Sequence, residues 1–183
     1  MVLFFGPAGA GKSVQGQILA ARHGWRWLSS GQLLRDSKDP EIHEMMRQGK
    51  LAVPDKVNQI IAEAINRAES IDTLILDGFP RLLEQAQWLV ESQEKHSRSI
   101  QLVVVLDVPK EEVVKRLAIR GRADDTESVI AERLAIYESE MQPILDYLVS
   151  KDIKVAHVDG VGTVGEVHDR VEAALVAADV VSS

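Results

Sequence analysis

Short apolar runs alternate with longer amphipathic stretches along this chain, and this alternation restricts the fold more than any other feature. Runs rich in Val, Leu and Ile are typical of parallel strands buried on both faces. Parallel strands need a crossover between them, so each amphipathic stretch is predicted to be a helix. The predicted strands are Val2–Phe5, Arg26–Leu28 (the weakest pattern), Thr73–Leu76, Leu102–Leu106 and Ile153–Val158, and the predicted helices are Lys12–Arg22, Asp55–Ala68, Leu82–Glu94, Glu111–Arg120, Glu127–Val149 and Val164–Ala177.

The expected fold class is therefore α/β, with a doubly wound sheet of five parallel strands flanked by helices. A chain of 183 residues has the usual length of one domain. No internal repeat or linker divides it, so residues 1–183 are predicted to form a single domain. Two segments are interpreted as insertions on the sheet, a longer one at about 30–54 and a short one at about 121–125.

Composition excludes several classes of function. The formal net charge is −7, which disfavours an extended nucleic-acid footprint, since such a surface needs an excess of Lys and Arg. The chain has no cysteine, which removes disulfides and thiolate zinc sites and fits a reducing cytoplasm. No apolar run approaches the ~20 residues of a membrane span. We therefore expect a soluble cytoplasmic protein, working as a monomer without nucleic-acid or membrane partners.

The segment Gly6–Ser13 matches the pattern G-x-x-x-x-G-K-[ST] completely. It follows a predicted strand and precedes a predicted helix, which is the context that such a match requires. Glycines let backbone N–H groups turn toward phosphates, and the helix N-terminus adds positive potential. Lys12 would reach the β- and γ-phosphates, and the Ser13 hydroxyl would bind Mg²⁺. The loop indicates a P-loop NTPase-type fold but leaves kinases, GTPases and motor ATPases open.

Four further segments decide among these classes. The segments are Ser29–Arg35, Leu76–Arg81 followed by Gln85-Ala86, Arg116–Thr126 followed by Arg133, and a helix containing Tyr137 and Pro143. In this order and context they resemble the adenylate kinase family of nucleoside monophosphate kinases, and the resemblance runs from Met1 to about Val167. Its most specific part is the run Arg-Gly-Arg-Ala-Asp-Asp-Thr.

For the donor nucleotide, the resemblance implies a site built around the phosphate loop. Arg116 would stack on the ATP adenine, and Mg²⁺ would be held by Ser13 and, through water, by Asp77. The ATP-binding residues implied are Gly9, Ala10, Gly11, Lys12, Ser13, Val14, Arg116, Arg120 and Gly162.

For the acceptor, the resemblance implies that Arg35 and Arg81 hold the AMP phosphate, while Ser30 and Gln85 face the base. Asp124 and Asp125 would fix the closed lid by bonding to loop and arginine groups. The implied AMP-binding residues are Ser30, Arg35, Gly78, Arg81, Gln85, Arg122 and Arg133, and the implied catalytic residues are Lys12, Arg81, Arg120, Arg122 and Arg133.

Each of these residues also has an ordinary structural interpretation. A single helix arginine is usually a solvated charge, Gln85 could be a surface residue, and Asp77 could be a turn cap. Asp124 and Asp125 could cap the helix that begins near Glu127. Six cations in an acidic chain nevertheless suit phosphoryl transfer, which mainly requires positioning and charge neutralisation. Arginine suits this role because its planar fork binds phosphate oxygens in pairs.

The sequence departs from the family pattern at several points. Ser13 and Val14 stand where Gly and Thr are usual, and Ser30 replaces a threonine while keeping the hydroxyl. The stretch between Arg35 and Gly49 is several residues shorter than in most relatives, which leaves the alignment at Ala52-Val53 and the base selectivity open. The short lid lacks a zinc-bearing extension.

The function expected is transfer of the terminal phosphoryl group of ATP to a nucleoside monophosphate, AMP first (ATP + AMP = 2 ADP), with Mg²⁺ and no zinc. A UMP/CMP-type kinase is the nearest alternative, since it would differ only in the base pocket. A nucleotide-binding regulatory module without transfer activity is the alternative from another class. A GTPase is disfavoured because no Asn-Lys-x-Asp motif occurs.

Overall fold

The computed structural model describes residues 1–122 and 125–182. The strands are β1 (Val2–Phe5), β2 (Arg26–Ser29), β3 (Leu74–Asp77), β4 (Leu102–Asp107) and β5 (Val155–Asp159). The helices of the described part are α1 (Lys12–His23), α2 (Ser30–Asp36), α3 (Pro40–Arg47), α4 (Pro54–Arg67), α5 (Leu83–Glu91), α6 (Lys110–Arg120), α7 (Glu127–Val149) and α8 (Val164–Ala177).

The strands form one parallel sheet in the order β2-β3-β1-β4-β5, which confirms the predicted α/β fold. The first strand lies at the centre, where Val2 is in register with Ile75 on one side and Leu102 on the other. β2 and β3 lie on one side of β1, and β4 and β5 lie on the other, so the strand order reverses direction at β1. In open α/β sheets, ligands bind outside the carboxyl ends of the strands near such a point.

Alternate residues of β1 enter two separate cores, as the two-residue repeat of a strand requires. Leu3 and Phe5 pack toward the face covered by α4, α5 and the end of α7. Val2 and Phe4 pack toward the face covered by α1 and α8. A smaller cluster of Val113, Leu117 and Leu134 joins α6 to α7 beside the phosphate loop. The central strand, and the loop that follows it, are therefore fixed from both sides.

Burial of the strands differs in one respect from the sequence prediction. Both faces of β1 and β3 are buried as predicted. The prediction was wrong for β5, where His157 and Asp159 are exposed and Val158 is buried. The reason is its position, because β5 is an edge strand and only one side of it is paired. Among the described helices, none combines the length and apolarity needed to cross a bilayer.

Residues 30–54 contain the short helices α2 and α3, whose bounds the sequence pattern did not indicate. Asp39 caps α3 by accepting hydrogen bonds from the backbone N–H groups of Glu41 and Ile42. Lys56 of α4 binds the carboxylates of Asp39 and Glu41 at 2.7 and 2.6 Å. Ile42 is buried in the main core. The insertion is therefore joined to the sheet through α4.

Candidate active site

A cavity of about 320 Å³ opens at the carboxyl ends of β1, β2 and β3. It brings together most of the site residues predicted from sequence. Ala10 is buried beneath it, whereas Gly162 and Asp125 lie outside its wall. Asp124 lies outside the described residues. The predicted residues that line the cavity are Gly9, Gly11, Lys12, Ser13, Val14, Ser30, Arg35, Asp77, Gly78, Arg81, Gln85, Arg116, Arg120, Arg122 and Arg133.

The phosphate loop takes a shape that only glycine permits at two points. Gly6 has φ +138°, and a Cβ there would lie 2.9 Å from the carbonyl oxygen of Leu106. Gly9 has φ +85°, and a Cβ there would lie 3.0 Å from the side chain of Leu117. Both glycines therefore let the loop rest on β4 and α6 without a gap. The loop leads into α1, whose N-terminus lacks a side-chain cap, so its first amides are available to an anion.

The Lys12 side chain folds back onto the backbone of the phosphate loop. Its Nζ atom donates to the carbonyl oxygens of Gly6 and Pro7 at 2.7 and 2.8 Å. Burial lowers the pKa of Lys12 to about 8; Asp77 opposes this shift, while Arg81 and Arg120 add to it. Desolvation and like charges therefore destabilise the protonated amine in the free protein. An anionic phosphate placed here would relieve both effects.

Ser13 and Asp77 form the pair of oxygen ligands that a nucleotide-bound Mg²⁺ would meet. The Ser13 hydroxyl donates to Asp77 Oδ2 at 2.6 Å, and Asp77 is only 3% exposed. The described residues include no salt bridge to Asp77. Two hard oxygen donors fit Mg²⁺, which keeps several waters and takes its other ligands from phosphates. No cluster of three or more His, Cys, Asp or Glu in the described part could hold a metal by itself.

Arg116 is held against the loop by three contacts. Its Nε donates to Glu112 at 2.8 Å, Nη2 donates to the Gly160 carbonyl at 3.0 Å, and Nη1 donates to the Ala10 carbonyl at 3.3 Å. The guanidinium therefore bridges the loop and the turn after β5. The turn contact is made by Gly160, so a role for Gly162 in ATP binding stays a prediction.

Ser30 and Arg81 meet at one carbonyl oxygen. The Gly78 carbonyl accepts from Ser30 Oγ at 2.6 Å and from Arg81 Nε at 2.7 Å. Gly78 has φ +73°, and a Cβ there would lie 3.0 Å from Arg81 Nη2 and 3.1 Å from Ser30 Oγ. Burial lowers the pKa of Arg81, and Arg133 and Arg35 act in the same direction, whereas Asp77 opposes them. The guanidiniums of Arg81, Arg133 and Arg35 therefore lie close enough to influence one another within the cavity.

Gln85 has a positioning role that the sequence did not indicate. Its side chain is 3% exposed, and its Oε1 accepts from the backbone N–H of Arg81 at 2.8 Å. The amide nitrogen has no hydrogen-bond partner among the residues that the structure describes. Gln85 therefore fixes the backbone of Arg81 and still offers a donor to the cavity.

Residues of the segment 30–54 complete the wall of the cavity. Gly31 of α2 lies between two guanidiniums, since a Cβ there would be 3.5 Å from Arg35 Nη1 and 3.9 Å from Arg81 Nη2. At Ala52-Val53, where the sequence left the alignment open, the two residues have different surroundings. Ala52 is buried and lines the cavity, whereas Val53 is 38% exposed and precedes α4.

Asp125 binds the arginines of the lid rather than capping a helix. It accepts from Arg120 Nε at 2.8 Å and Nη2 at 2.5 Å, and from Arg133 Nη1 at 3.4 Å. The alternative that Asp125 caps α7 was wrong, because Thr126 accepts the hydrogen bond from the Val129 N–H. A carboxylate shared in this way orients both guanidiniums and offsets their mutual repulsion.

The insertion touches α7 directly. Gly49 has φ +74°, and a Cβ there would lie 3.2 Å from both Cγ1 and the carbonyl oxygen of Val129. Arg133 Nη2 also donates to the carbonyl of Met46 at 3.5 Å. The segment 30–54 and the helix that carries Arg133 are therefore in contact.

Sequence reasoning passed over two side chains that reach this region. Lys50, next to Gly49, lines the acceptor side of the cavity. Trp27 of β2 donates from its indole Nε1 to Asp77 Oδ2 at 3.3 Å. Only the register of the strands, in which Trp27 lies opposite Ile75, reveals this second contact.

Comparisons with known proteins agree with this geometry. A family model described as adenylate kinase matches residues 4–153. An adenylate kinase of Mycobacterium leprae is 39% identical over 175 residues, covering 92% of this chain and 95% of the relative. An adenylate kinase of Synechococcus sp. (strain WH7803) is 38% identical over 180 residues, covering 95% and 97%. An adenylate kinase of Nocardia farcinica is 36% identical over 180 residues, covering 95% and 98%. On this evidence the chain belongs to the adenylate kinase family.

Proposed function

We propose that this enzyme transfers the terminal phosphoryl group of ATP to AMP, giving two molecules of ADP. One observation carries the proposal: a single cavity joins the phosphate loop to a second cluster of guanidiniums. The loop, which suits the phosphates of ATP, thus lies in the same cavity as a second group of cationic side chains that suits the phosphate of AMP. We call the first the donor end (Gly9, Lys12, Ser13 and Arg116) and the second the acceptor end (Ser30, Arg35, Gly78 and Arg81).

In the proposed reaction, an oxygen of the AMP phosphate attacks the γ-phosphorus of ATP. A new P–O bond forms, the bond to the β–γ bridging oxygen breaks, and its electron pair leaves with ADP. The attacking oxygen is already ionised, so no side chain needs to act as a general base. Catalysis then depends on positioning and on offsetting charge on the moving group. Lys12, Arg120, Arg122 and Arg133 are assigned this second task.

Mg²⁺ would supply further charge neutralisation between the β- and γ-phosphates when it is bound. Ser13 would bind it through the hydroxyl, and Asp77 would hold it through water. Closure of residues 30–54 and 121–125 over the nucleotides would exclude water and suppress ATP hydrolysis. That the enzyme is a cytoplasmic monomer without nucleic-acid or membrane partners stays a prediction, which fractionation and size-exclusion chromatography can test.

The acceptor base is proposed to be adenine. Leu34, Ala52 and Val57 supply apolar wall to the acceptor end, which suits a planar base. The amide nitrogen of Gln85 can donate to a ring nitrogen of adenine.

An acceptor panel tests the proposal. AMP, CMP, UMP, GMP and dTMP are each supplied with ATP and Mg²⁺, and nucleoside diphosphate formation is followed. We expect AMP to be preferred over every other acceptor. A preference for CMP or UMP would indicate the pyrimidine-specific alternative. Nucleotide binding without transfer to any acceptor would indicate a regulatory module and overturn the proposal.

A further inference from the structure

Trp27 reaches the carboxylate of Asp77 across two neighbouring strands. Trp27 is in register with Ile75, and Asp77 lies two residues further along β3 on the same face of the sheet. The long indole side chain spans this diagonal, since its Nε1 lies 3.3 Å from Asp77 Oδ2. The indole N–H meets Oδ2, the same oxygen that accepts from Ser13 at 2.6 Å. Two donors from different elements therefore hold one oxygen of this buried carboxylate.

The chemistry of the indole suits this position. Its N–H can donate but cannot accept, so it adds no lone pair that would compete for a metal. It is also neutral, so it orients the carboxylate without cancelling its negative charge, as an arginine or lysine would. With Oδ2 engaged, Oδ1 has no hydrogen-bond partner within the described ranges 1–122 and 125–182. That oxygen would therefore be available to a water carried by a cation.

Gly16 of α1 allows this approach. A Cβ at Gly16 would lie 2.6 Å from Trp27 Cδ1 and 2.9 Å from Trp27 Nε1. Both atoms belong to a rigid ring that is packed against the core around Phe4 and Ile75. Glycine is otherwise unfavourable inside a helix. Its presence here is explained by the room that it leaves for the hydrogen-bonding edge of the indole.

We propose that Trp27 is a positioning residue for the metal-side carboxylate. It orients Asp77 so that the Ser13–Asp77 pair receives the divalent cation of the nucleotide. The inference rests on the proposed function in one respect, namely that ATP binds at the donor end with its cation beside Ser13. It assigns to Trp27 an effect on the metal that is separate from its packing.

Calorimetric titration with ATP separates these two effects. Affinity is measured in excess MgCl₂ and again in EDTA for wild type, Trp27→Phe and Gly16→Ala. Trp25→Phe is the matched control, because Trp25 is a half-buried tryptophan stacked on His23 at 4.7 Å and packed on the same core. We expect Trp27→Phe to lose about tenfold of the affinity in MgCl₂, the lower end for losing an outer-sphere partner. Its affinity in EDTA should be unchanged.

Gly16→Ala should show the same loss, because the added methyl displaces the indole while favouring the helix. In an Asp77→Asn background, Trp27→Phe should cause no further change in the ratio of the two affinities. The Mg²⁺ concentration for half-maximal activity should rise in Trp27→Phe, with kcat recovered at saturating Mg²⁺. The proposal is overturned if Trp27→Phe and Gly16→Ala match Trp25→Phe in both solutions.

If Trp27→Phe does not fold, the Gly16→Ala titration decides by the same criterion. Failure of the proposed function would look different, since the wild type would then bind MgATP but form no ADP from AMP. Calorimetry would still report the role of Trp27 in that case.

Discussion

The donor and acceptor ends of the cavity are built by different means. At the donor end, glycines that carry no side chain let the loop rest on β4 and α6, and the neighbouring β1 is buried on both faces. At the acceptor end, the lining is made mainly of side chains from α2, the segment 50–52 and the start of α5. Exposed ion pairs, such as Lys56 with Asp39 and Glu41, tie that insertion to α4.

This difference separates two kinds of recognition. Backbone amides and one lysine can bind any nucleoside triphosphate. Because they depend on one tight turn, the site leaves a continuous motif in the sequence. Side chains from several elements can read a base, and they need no continuous motif. Substitutions at the donor end are therefore expected to reduce the rate with every acceptor, whereas substitutions of side chains that face the acceptor base are expected to change the choice of acceptor.

Lys12→Ala should have the largest effect. It removes a preorganised charge from the transferring phosphoryl group, and such losses cost about 10²–10³-fold in kcat. Steady-state kinetics with AMP and CMP should show the same loss for both, with the circular dichroism spectrum unchanged. Lys50→Ala is the matched control from the acceptor end, expected to act mainly on the KM for the acceptor. A Lys12→Ala enzyme with more than about a tenth of normal activity would contradict the assignment.

Arg122→Lys and Arg133→Lys should each lower kcat by at least about tenfold, or ~1.4 kcal/mol. Lysine keeps the charge but loses the planar fork that binds two oxygens. Interactions made only in the transition state reduce kcat rather than raise KM. Arg116→Ala should instead weaken ATP binding, because its assigned partner is the adenine ring. Single-turnover rates and nucleotide affinities, measured separately, distinguish an effect on the chemical step from an effect on binding. If kcat is unchanged in both lysine variants, Arg122 and Arg133 contribute only to nucleotide binding.

Gln85 can be tested at its two ends separately. Gln85→Leu leaves the partly buried Arg81 N–H without its acceptor, which costs about 1 kcal/mol. We expect the KM for AMP to rise while the KM for ATP stays the same. Gln85→Glu keeps an oxygen acceptor for the Arg81 N–H but loses the amide donor. It should therefore lower the ratio of kcat/KM for AMP to kcat/KM for CMP, in addition to any change in kcat/KM that all acceptors share. An unchanged AMP:CMP ratio in Gln85→Glu would show that the amide nitrogen does not read the base.

The pH dependence should show the smallest effect. With a pKa of about 8, Lys12 of the free enzyme loses its proton as the pH rises through that value, so kcat/KM for ATP should fall by about fourfold between pH 7 and 8.5. At saturating ATP, kcat should hold to higher pH, because the phosphates favour the charged amine. Lys12→Arg should abolish the fall, since arginine stays protonated. The same fall in Lys12→Arg would assign it to another group.

The sequence predicted the parallel sheet and the loop between β1 and α1 well, because both depend on local patterns. The helices Glu127–Val149 and Val164–Ala177 were predicted with their observed bounds. The short helices α2 and α3 were not delimited, since seven or eight residues hold too few turns for a clear period. The contact between Trp27 and Asp77 depends on the register of strands that lie far apart in the chain, and no motif records it.

The lid shows a different limit of sequence reasoning. Sequence reasoning named Asp124 and Asp125 as candidate caps of α7 and passed over Thr126, although threonine is also a good capping residue. The structure assigns the cap to Thr126 because Asp125 is taken by Arg120 and Arg133. Which residue caps the helix therefore depends on where Arg120 and Arg133 lie in the folded protein, and a local sequence pattern does not show this. The residues of the acceptor end likewise come from segments whose approach depends on packing rather than on a local signal.

The contact of Gly49 with Val129 has a consequence for protein engineering. The acceptor insertion rests on the backbone of α7, with Met46 bonded to Arg133. It is therefore not an independent module that can be exchanged freely between relatives. An insertion transplanted to change base specificity would need glycine at position 49, because a side chain there would be strained at φ +74° and its Cβ would lie 3.2 Å from Val129. Such a side chain should loosen the contact with the helix that carries Arg133.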